Sequence, residues 1–441
     1  MRQRMRWERL LVCGSGITSN PRYLMAHIKP FCALRYNEAV VSSLSDVLSP
    51  PYDVISASEQ DALYNTSPYN IVRLILGKQS ATDSERENRY TRAQRDFNAW
   101  RASTALRVDS TPAFYVLTHR FDDRGRPQCR MGFLGLLQLD EAIERIVYRH
   151  EATLAAPKAD RTKLLQTVPA NLEPIFCVYP DAGGILQARL QQLTQHTPPT
   201  AQASLKGQEL KLWAVTDPEI VEAVQRQLAS VSVLIADGHH RFEVAYAHRA
   251  AYGSLMSYFV SMEDPALVVR PIHRLVSSAG PKTLEILRTL CVLEPARDLA
   301  SLTTWLEEGS HGSGRFGYAE GSALYQVTVQ PGRMARWLMA PTVPLPLAVL
   351  DVSVLHGMVL PALSIDNSAL RYTADAVEAV QSVQCGSSQA AWLLRGIPLP
   401  QVYALAAKGF VMPPKSTFFY PKVPSGLTIH PFDATREPVL P

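Results

Sequence analysis

Apolar residues recur at three- and four-residue spacing over residues 84–100, where Tyr90, Ala93, Phe97 and Trp100 share one face. That spacing predicts an amphipathic helix, with Ser84 as its cap and an aromatic core side. Residues 113–121 and 129–139 alternate instead, which predicts two strands joined across Asp122-Asp123-Arg124-Gly125-Arg126-Pro127. The short apolar run Val233-Leu234-Ile235-Ala236 predicts a buried strand. Before it, Asp217-Pro218 opens a helix to about residue 229, with aspartate as cap and proline at the first position. After it, Gly238 breaks the strand, and Phe242 to Ala247 look like the first turns of a helix.

Further strands are expected over 70–76, 171–176, 255–262, 267–276, 314–318, 323–329, 335–339 and 390–394. Helices are expected over 59–64, 283–289, 299–308, 351–363, 374–383 and 399–407, and one at Leu164-Leu165. This mixing lacks regular strand–helix–strand alternation and contains no internal repeat, so the class is α+β. The expected organisation is a nucleotide-binding lobe over 25–281, a second α+β lobe over 282–411, and a C-terminal strap over 412–441 returning to the site. Residues 1–24 carry four early arginines and a run, Leu10-Leu11-Val12-Cys13, too short for a secretory signal. They are expected to be a disordered extension from an upstream start codon, because Met25-Ala26-His27-Ile28-Lys29-Pro30 reads as a natural beginning.

Composition narrows the function classes. The chain has 441 residues, 46% hydrophobic and 19% charged, an ordinary balance for a soluble globular protein. A net charge of +4 is too small at this length to argue for nucleic acid, and no block of like charges forms a basic tail. No apolar run approaches the roughly 18 residues of a membrane span. Six scattered cysteines without a Cys-x-x-Cys pair favour reduced thiols and a cytoplasmic setting.

The densest chemistry is Asp237-Gly238-His239-His240-Arg241, with Glu243 close behind. A strand, a glycine turn and a helix start leave backbone N–H groups and a positive dipole end open to an anion. The same residues also read as a helix cap with surface charges, or as a metal site, although adjacent helical histidines point about 100° apart. Pro50-Pro51-Tyr52-Asp53 makes a stiff loop that holds Tyr52 and Asp53 in place, or a turn with a capping aspartate. Around Arg149-His150-Glu151 and Pro157-Lys158-Ala159-Asp160-Arg161 the mix suits a phosphate clamp, a proton relay or a solvated helix start. Met412-Pro413-Pro414-Lys415-Ser416-Thr417 suits phosphate or magnesium, or serves as a structural strap; it lacks the glycines of a P-loop.

These motifs, with Lys29-Pro30-Phe31 and Ser67-Pro68-Tyr69-Asn70, resemble the bacterial and archaeal domain-of-unknown-function family 1015 over about residues 25–429. Two departures are Cys32, where the family usually has arginine, and Phe242, commonly tyrosine. The Asp237–Arg241 stretch also resembles the Gly-His-Arg signature of the ParB/sulfiredoxin superfamily, which includes free-serine kinases. That resemblance implies a ParB/sulfiredoxin-like nucleotide site in a mixed-sheet core. It implies that Gly238, His239, His240 and Arg241 contact phosphates, and that Asp237 or Glu243 helps place magnesium or the substrate hydroxyl.

The expected function is therefore an ATP- or ADP-dependent kinase acting on the hydroxyl of a small metabolite, free L-serine or a related amino acid, to give a product such as phosphoserine. Arg241, Lys158, Arg161 and Lys415 would neutralise charge with Mg2+, and Ser416 and Thr417 would serve as hydrogen-bond donors or magnesium ligands. Asp53, Glu151 or Asp237 would accept the hydroxyl proton, with His240 as a further catalytic group. Alternatives are a metal-dependent phosphohydrolase or nuclease, and a non-enzymatic nucleotide-binding regulator. Membrane and nucleic-acid partners are not expected, and a homodimer is compatible with the sequence.

Overall fold

The computed structural model describes residues 26–278, 280, 282–309, 312–339 and 344–432; the expected extension over 1–24 and the last residues of the strap lie outside them. The hairpin predicted by alternation is built from Phe114–Asp123 and Arg126–Gln138, with Arg124 and Gly125 both at positive φ (57° and 81°) in a tight turn. It sits inside a nine-stranded mixed sheet. In order across that sheet lie Val147–Tyr148, Val233–Asp237, Ile175–Tyr179, Ser254–Ser261, Arg126–Gln138, Phe114–Asp123, Gln208–Val215 and Ala201–Leu205. The strand Ile28–Lys29 pairs with Arg126–Gln138 off this path. Parallel pairing joins Val233–Asp237 to Val147–Tyr148 and Ser254–Ser261 to Ile175–Tyr179; the other pairs are antiparallel.

Because strand side chains alternate, each strand feeds two cores. Phe114, Val116, Ile175, Cys177 and Ile235 pack on one face with the helices Ile185–His196 and Pro218–Ala229. Tyr115, Leu117, Phe176, Val178 and Leu234 pack on the other, in a core that continues as far as Tyr318 and Trp392. The helix Pro218–Ala229 starts as expected: Asp217 accepts the N–H groups of Glu219 (2.8 Å) and Ile220 (3.3 Å).

A second, six-stranded antiparallel sheet orders Cys291–Pro295, Ala323–Val329, Arg315–Glu320, Ala390–Leu393, His273–Val276 and Leu370–Thr373. The strand His273–Val276 precedes the expected division at 281/282, so the chain enters the second sheet before that point. The expected strand over 267–276 is two strands, because Pro271 interrupts the ladder. Its first part, Val268–Arg270, pairs with Phe418–Tyr420 of the C-terminal segment.

Several expected elements take another form. Residues 70–76 form a helical turn, Val72–Ile75, not a strand. Buried Asn70 accepts the Val72 N–H (3.0 Å) and donates to Asp46 O and Leu48 O, a local capping geometry that overrides the apolar pattern. Residues 335–338 belong to the helix Pro331–Leu338, with Met339 as its C-cap, begun by Pro331 and anchored by Trp337 Nε1 donating to Ala348 O (2.8 Å). The aromatic helix is Arg89–Ala102, capped by Asn88 rather than Ser84. The segment 171–176 splits into Ala170–Asn171 and Ile175–Tyr179, and the helix over 351–363 contains a wide turn at Leu355–Val359. Among the described residues no helix is long and apolar enough to cross a membrane.

Candidate active site

The strand Val233–Asp237 ends at Gly238, whose φ of 97° is open to glycine and strained for other residues. A Cβ there would meet Ile175 Cγ2 at 2.8 Å. The helix His239–Ala247 follows with no side-chain cap, so its first N–H groups and its positive dipole end remain available. Gly238→Ala is expected to lower stability by about 1–3 kcal/mol. An unchanged melting temperature would show that the turn accepts a side chain.

This helix start opens on a cleft of about 480 Å³. Of the expected residues, Asp53, Glu151, Asp237, Gly238, His239, His240, Arg241, Lys415 and Thr417 line it. Lys158, Arg161, Ser416 and Glu243 do not. Glu243 instead accepts from Arg149 (3.1 Å), Thr153 (2.7 Å) and Lys158 (3.0 Å), and these partners hold its carboxyl below the usual range despite burial. Arg161 is buried, donates to Ile75 O (2.9 Å), pairs with Asp160 and lies 3.9 Å from the Tyr52 ring centre. Ser416 turns its hydroxyl to Pro413 O (2.6 Å).

Within the cleft, the Asp237 carboxylate takes Lys422 Nζ on one oxygen (2.7 Å) and Arg241 Nη2 on the other (2.7 Å). Burial alone would raise its pKa; Lys422 and Arg241 outweigh it and hold the group well below the usual carboxylate range. Asp53, in the short turn Tyr52–Val54, shares the same Lys422 ammonium. Tyr52 beside it is pushed up to about 12 by burial, against the lowering influence of Arg161 and Arg241.

The histidines are turned to structural use. His239 is buried, and its Nε2 accepts the His150 N–H (3.4 Å) while the two rings meet edge to face at 4.6 Å. His240 Nε2 accepts the Leu154 N–H (2.9 Å). Burial and then Lys415 lower its pKa, so the ring is neutral and its acceptor nitrogen is already used. Both side chains pin the loop at 150–154 against the helix.

Glu151 ties down the C-terminal segment. Its carboxylate accepts the N–H groups of Ser416 (3.0 Å), Thr417 (3.1 Å) and Lys415 (3.4 Å), and the Thr417 hydroxyl (3.3 Å). Lys415 adopts a left-handed backbone (φ 60°) at this turn and has no carboxylate partner among the described residues. Two buried guanidiniums hold the same segment from beneath: Arg274 donates to Lys415 O (3.0 Å) and Arg130 to Tyr420 O (3.3 Å). Burial lowers Arg274 to about 10.

The expected metal pair, Asp237 and Glu243, does not converge, since each is engaged by its own cations. The carboxylates that do converge are Asp53 and Asp237, and a lysine ammonium stands between them. Magnesium is usually held by one or two carboxylates with substrate phosphates; in this form the pair is already neutralised and does not fit that ion. Among the described residues no group of three or more His, Cys, Asp and Glu is arranged for a metal. Residues that the sequence did not single out also line the cleft: Lys422 and Arg270, and, around the strand Leu370–Thr373 and the helix Ala376–Gln384, Tyr372, Asp375 and Glu378. Lys422 lies five residues beyond the Met412–Thr417 motif, and its place after Pro421 was the available signal.

No curated protein matches the sequence. Among solved structures, a conserved hypothetical protein from Pyrococcus furiosus is similar at 14% identity and a TM-score of 0.37, over 68% of this chain and 97% of that one. A free serine kinase in complex with AMP is similar at 14% identity and a TM-score of 0.34, over 66% and 91%. SbnI with C-terminal truncation from Staphylococcus aureus is similar at 10% identity and a TM-score of 0.37, over 69% and 90%. The family described as "Protein of unknown function (DUF1015)" matches residues 28–353, and the chain belongs to it.

Proposed function

We propose that the cleft transfers a phosphoryl group from an adenine nucleotide, ATP or ADP, to the hydroxyl of a small metabolite, free L-serine or a related amino acid first among them. The observation that carries this reading is the uncapped helix start at His239, opening on the cleft beside the Asp53 carboxylate and Lys415, which has no carboxylate partner among the described residues. The choice of nucleotide and acceptor rests on the motif's resemblance to free-serine kinases.

Phosphoryl transfer needs position and charge balance more than covalent chemistry. The helix N–H groups and Lys415 would hold the phosphates. The acceptor oxygen attacks the terminal phosphorus, the bond to the leaving nucleotide breaks, and the hydroxyl proton passes to a carboxylate. Asp53 is best placed for that proton. Asp237 is held ionised by two cations, Glu151 is filled by donors from the C-terminal segment, and His240 has spent its acceptor nitrogen.

The test is transfer of labelled phosphate from ATP, and separately ADP, to a pool of free amino acids and small alcohols. A labelled product such as phosphoserine is the expected result. Nucleotide binding without transfer, or phosphate release without an acceptor, would overturn it.

A further inference from the structure

Four cations line the cleft, and three are already engaged. Arg241 is tied to Asp237 and to the Pro174 carbonyl. Arg270 pairs with Asp123, and its guanidinium lies 3.6 Å from the Tyr420 ring centre. Lys422 bridges Asp53 and Asp237. Lys415 is left as the cation without a carboxylate partner among the described residues.

A nucleotide brings several negative charges into a cleft that already holds Asp53, Asp237, Glu151, Asp375 and Glu378. One free lysine does not balance them, so a second cation has to be recruited. The two guanidiniums are planar groups held at two separate points, which fixes them. Lys422 differs: its ammonium sits on a flexible four-carbon stem, held by the two carboxylates with the Phe418 ring centre 5.9 Å away. Those carboxylates keep it charged although it is buried, raising it above an ordinary lysine.

Building on the phosphotransfer reading, we propose that Lys422 is a transferable counter-cation, bridging Asp53 and Asp237 in the empty cleft and pairing with the phosphates once a nucleotide is bound. The transfer has a consequence for order. While Lys422 holds Asp53, the ammonium occupies a carboxylate oxygen; when it moves to phosphate, that oxygen is open to the acceptor hydroxyl. Donor binding thereby switches on the base.

The experiment is ADP binding by calorimetry on the full chain at one magnesium concentration, comparing wild type, Lys422→Met and Lys422→Arg, with a crystal structure of the ADP complex. Lys422→Met is expected to bind ADP about tenfold to a hundredfold more weakly, the scale of a lost charged hydrogen bond. Lys422→Arg is expected to stay within about threefold, since it keeps the charge. In the complex, Nζ is expected against a phosphate oxygen and away from Asp53. Nζ still bridging both carboxylates, or equal affinity in Lys422→Met, would overturn the proposal. If Lys422→Met does not fold, the arginine variant and the crystal structure decide. Wild type that transfers phosphate with an unmoved Lys422 removes this role alone; wild type that binds no ADP removes the phosphotransfer reading with it.

Discussion

Glu151→Ala is expected to cut phosphotransfer by about a hundredfold, whereas Glu151→Gln keeps most of the rate. The asymmetry follows from what the carboxylate touches. Its Oε1 accepts from Ser416 N (3.0 Å) and Thr417 N (3.1 Å), and a glutamine carbonyl can accept the same two bonds. Alanine leaves those N–H groups without an acceptor and frees the turn that aims Lys415 into the cleft. A glutamate acting as proton acceptor would behave otherwise, because glutamine cannot take a proton and both variants would fail alike. Steady-state rates separate the two roles. Equal loss in both variants would make Glu151 the base and displace Asp53; near-normal activity in Glu151→Ala would show that the turn holds without it. The positioning role also predicts that the alanine variant loses nucleotide affinity, through Lys415, along with its rate.

That contrast marks how far the sequence reaches. Helices with a side-chain cap or an N-terminal proline, Pro218–Ala229, Leu299–Glu308 and Leu399–Ala407, were legible to the residue, because local chemistry writes their starts. The hairpin was legible because alternation and a glycine turn agree. Residues 70–76 were not, since Asn70 makes its decisive bonds to Asp46 O and Leu48 O on another segment. The site divides in the same way. The stretch at Asp237–Arg241 announces itself by density of chemistry, and Asp53, Glu151 and Lys415 by flanking prolines or mixed charge. Whether a charged side chain faces the cleft or a neighbour was hidden: Glu243 and Lys158 neutralise each other on the far side of the loop they brace. Lys422 was hidden more deeply. Its partner Asp53 is 369 positions away in the chain, and no local spacing encodes that pairing.

Acid is expected to unfold the protein well above the pH at which its carboxylates titrate, because its buried histidines are neutral. His119 is held down to about 3 by burial and then by Arg130. His273 is held to about 4 by burial and then by Arg274, and His430 to about 4 by burial. His150 and His239, at the candidate site, are lowered as well, again chiefly by burial. In the unfolded chain each takes a proton near pH 6.5. A histidine whose folded pKa is depressed stabilises the fold above its unfolded value, and that stability is lost as pH falls toward the folded one. His119, His273 and His430 together give a slope of about 4 kcal/mol per pH unit below roughly pH 6. Across one and a half units this is about 6 kcal/mol, comparable with the whole stability of many domains. Asp237 loses its ion-pair contribution only below its own unfolded value, so its window lies under that of the histidines. Chemical denaturation between pH 7.5 and 4.5 should therefore show a level midpoint above about pH 7 and a steep fall below 6.5. His119→Gln, which leaves an amide facing Gln208 and Arg130, should reduce that slope by about 1.4 kcal/mol per pH unit, the share of one imidazole. A midpoint that stays level to pH 5 would mean the native protein accepts these protons, and that the imidazoles are less enclosed than the packing around them requires.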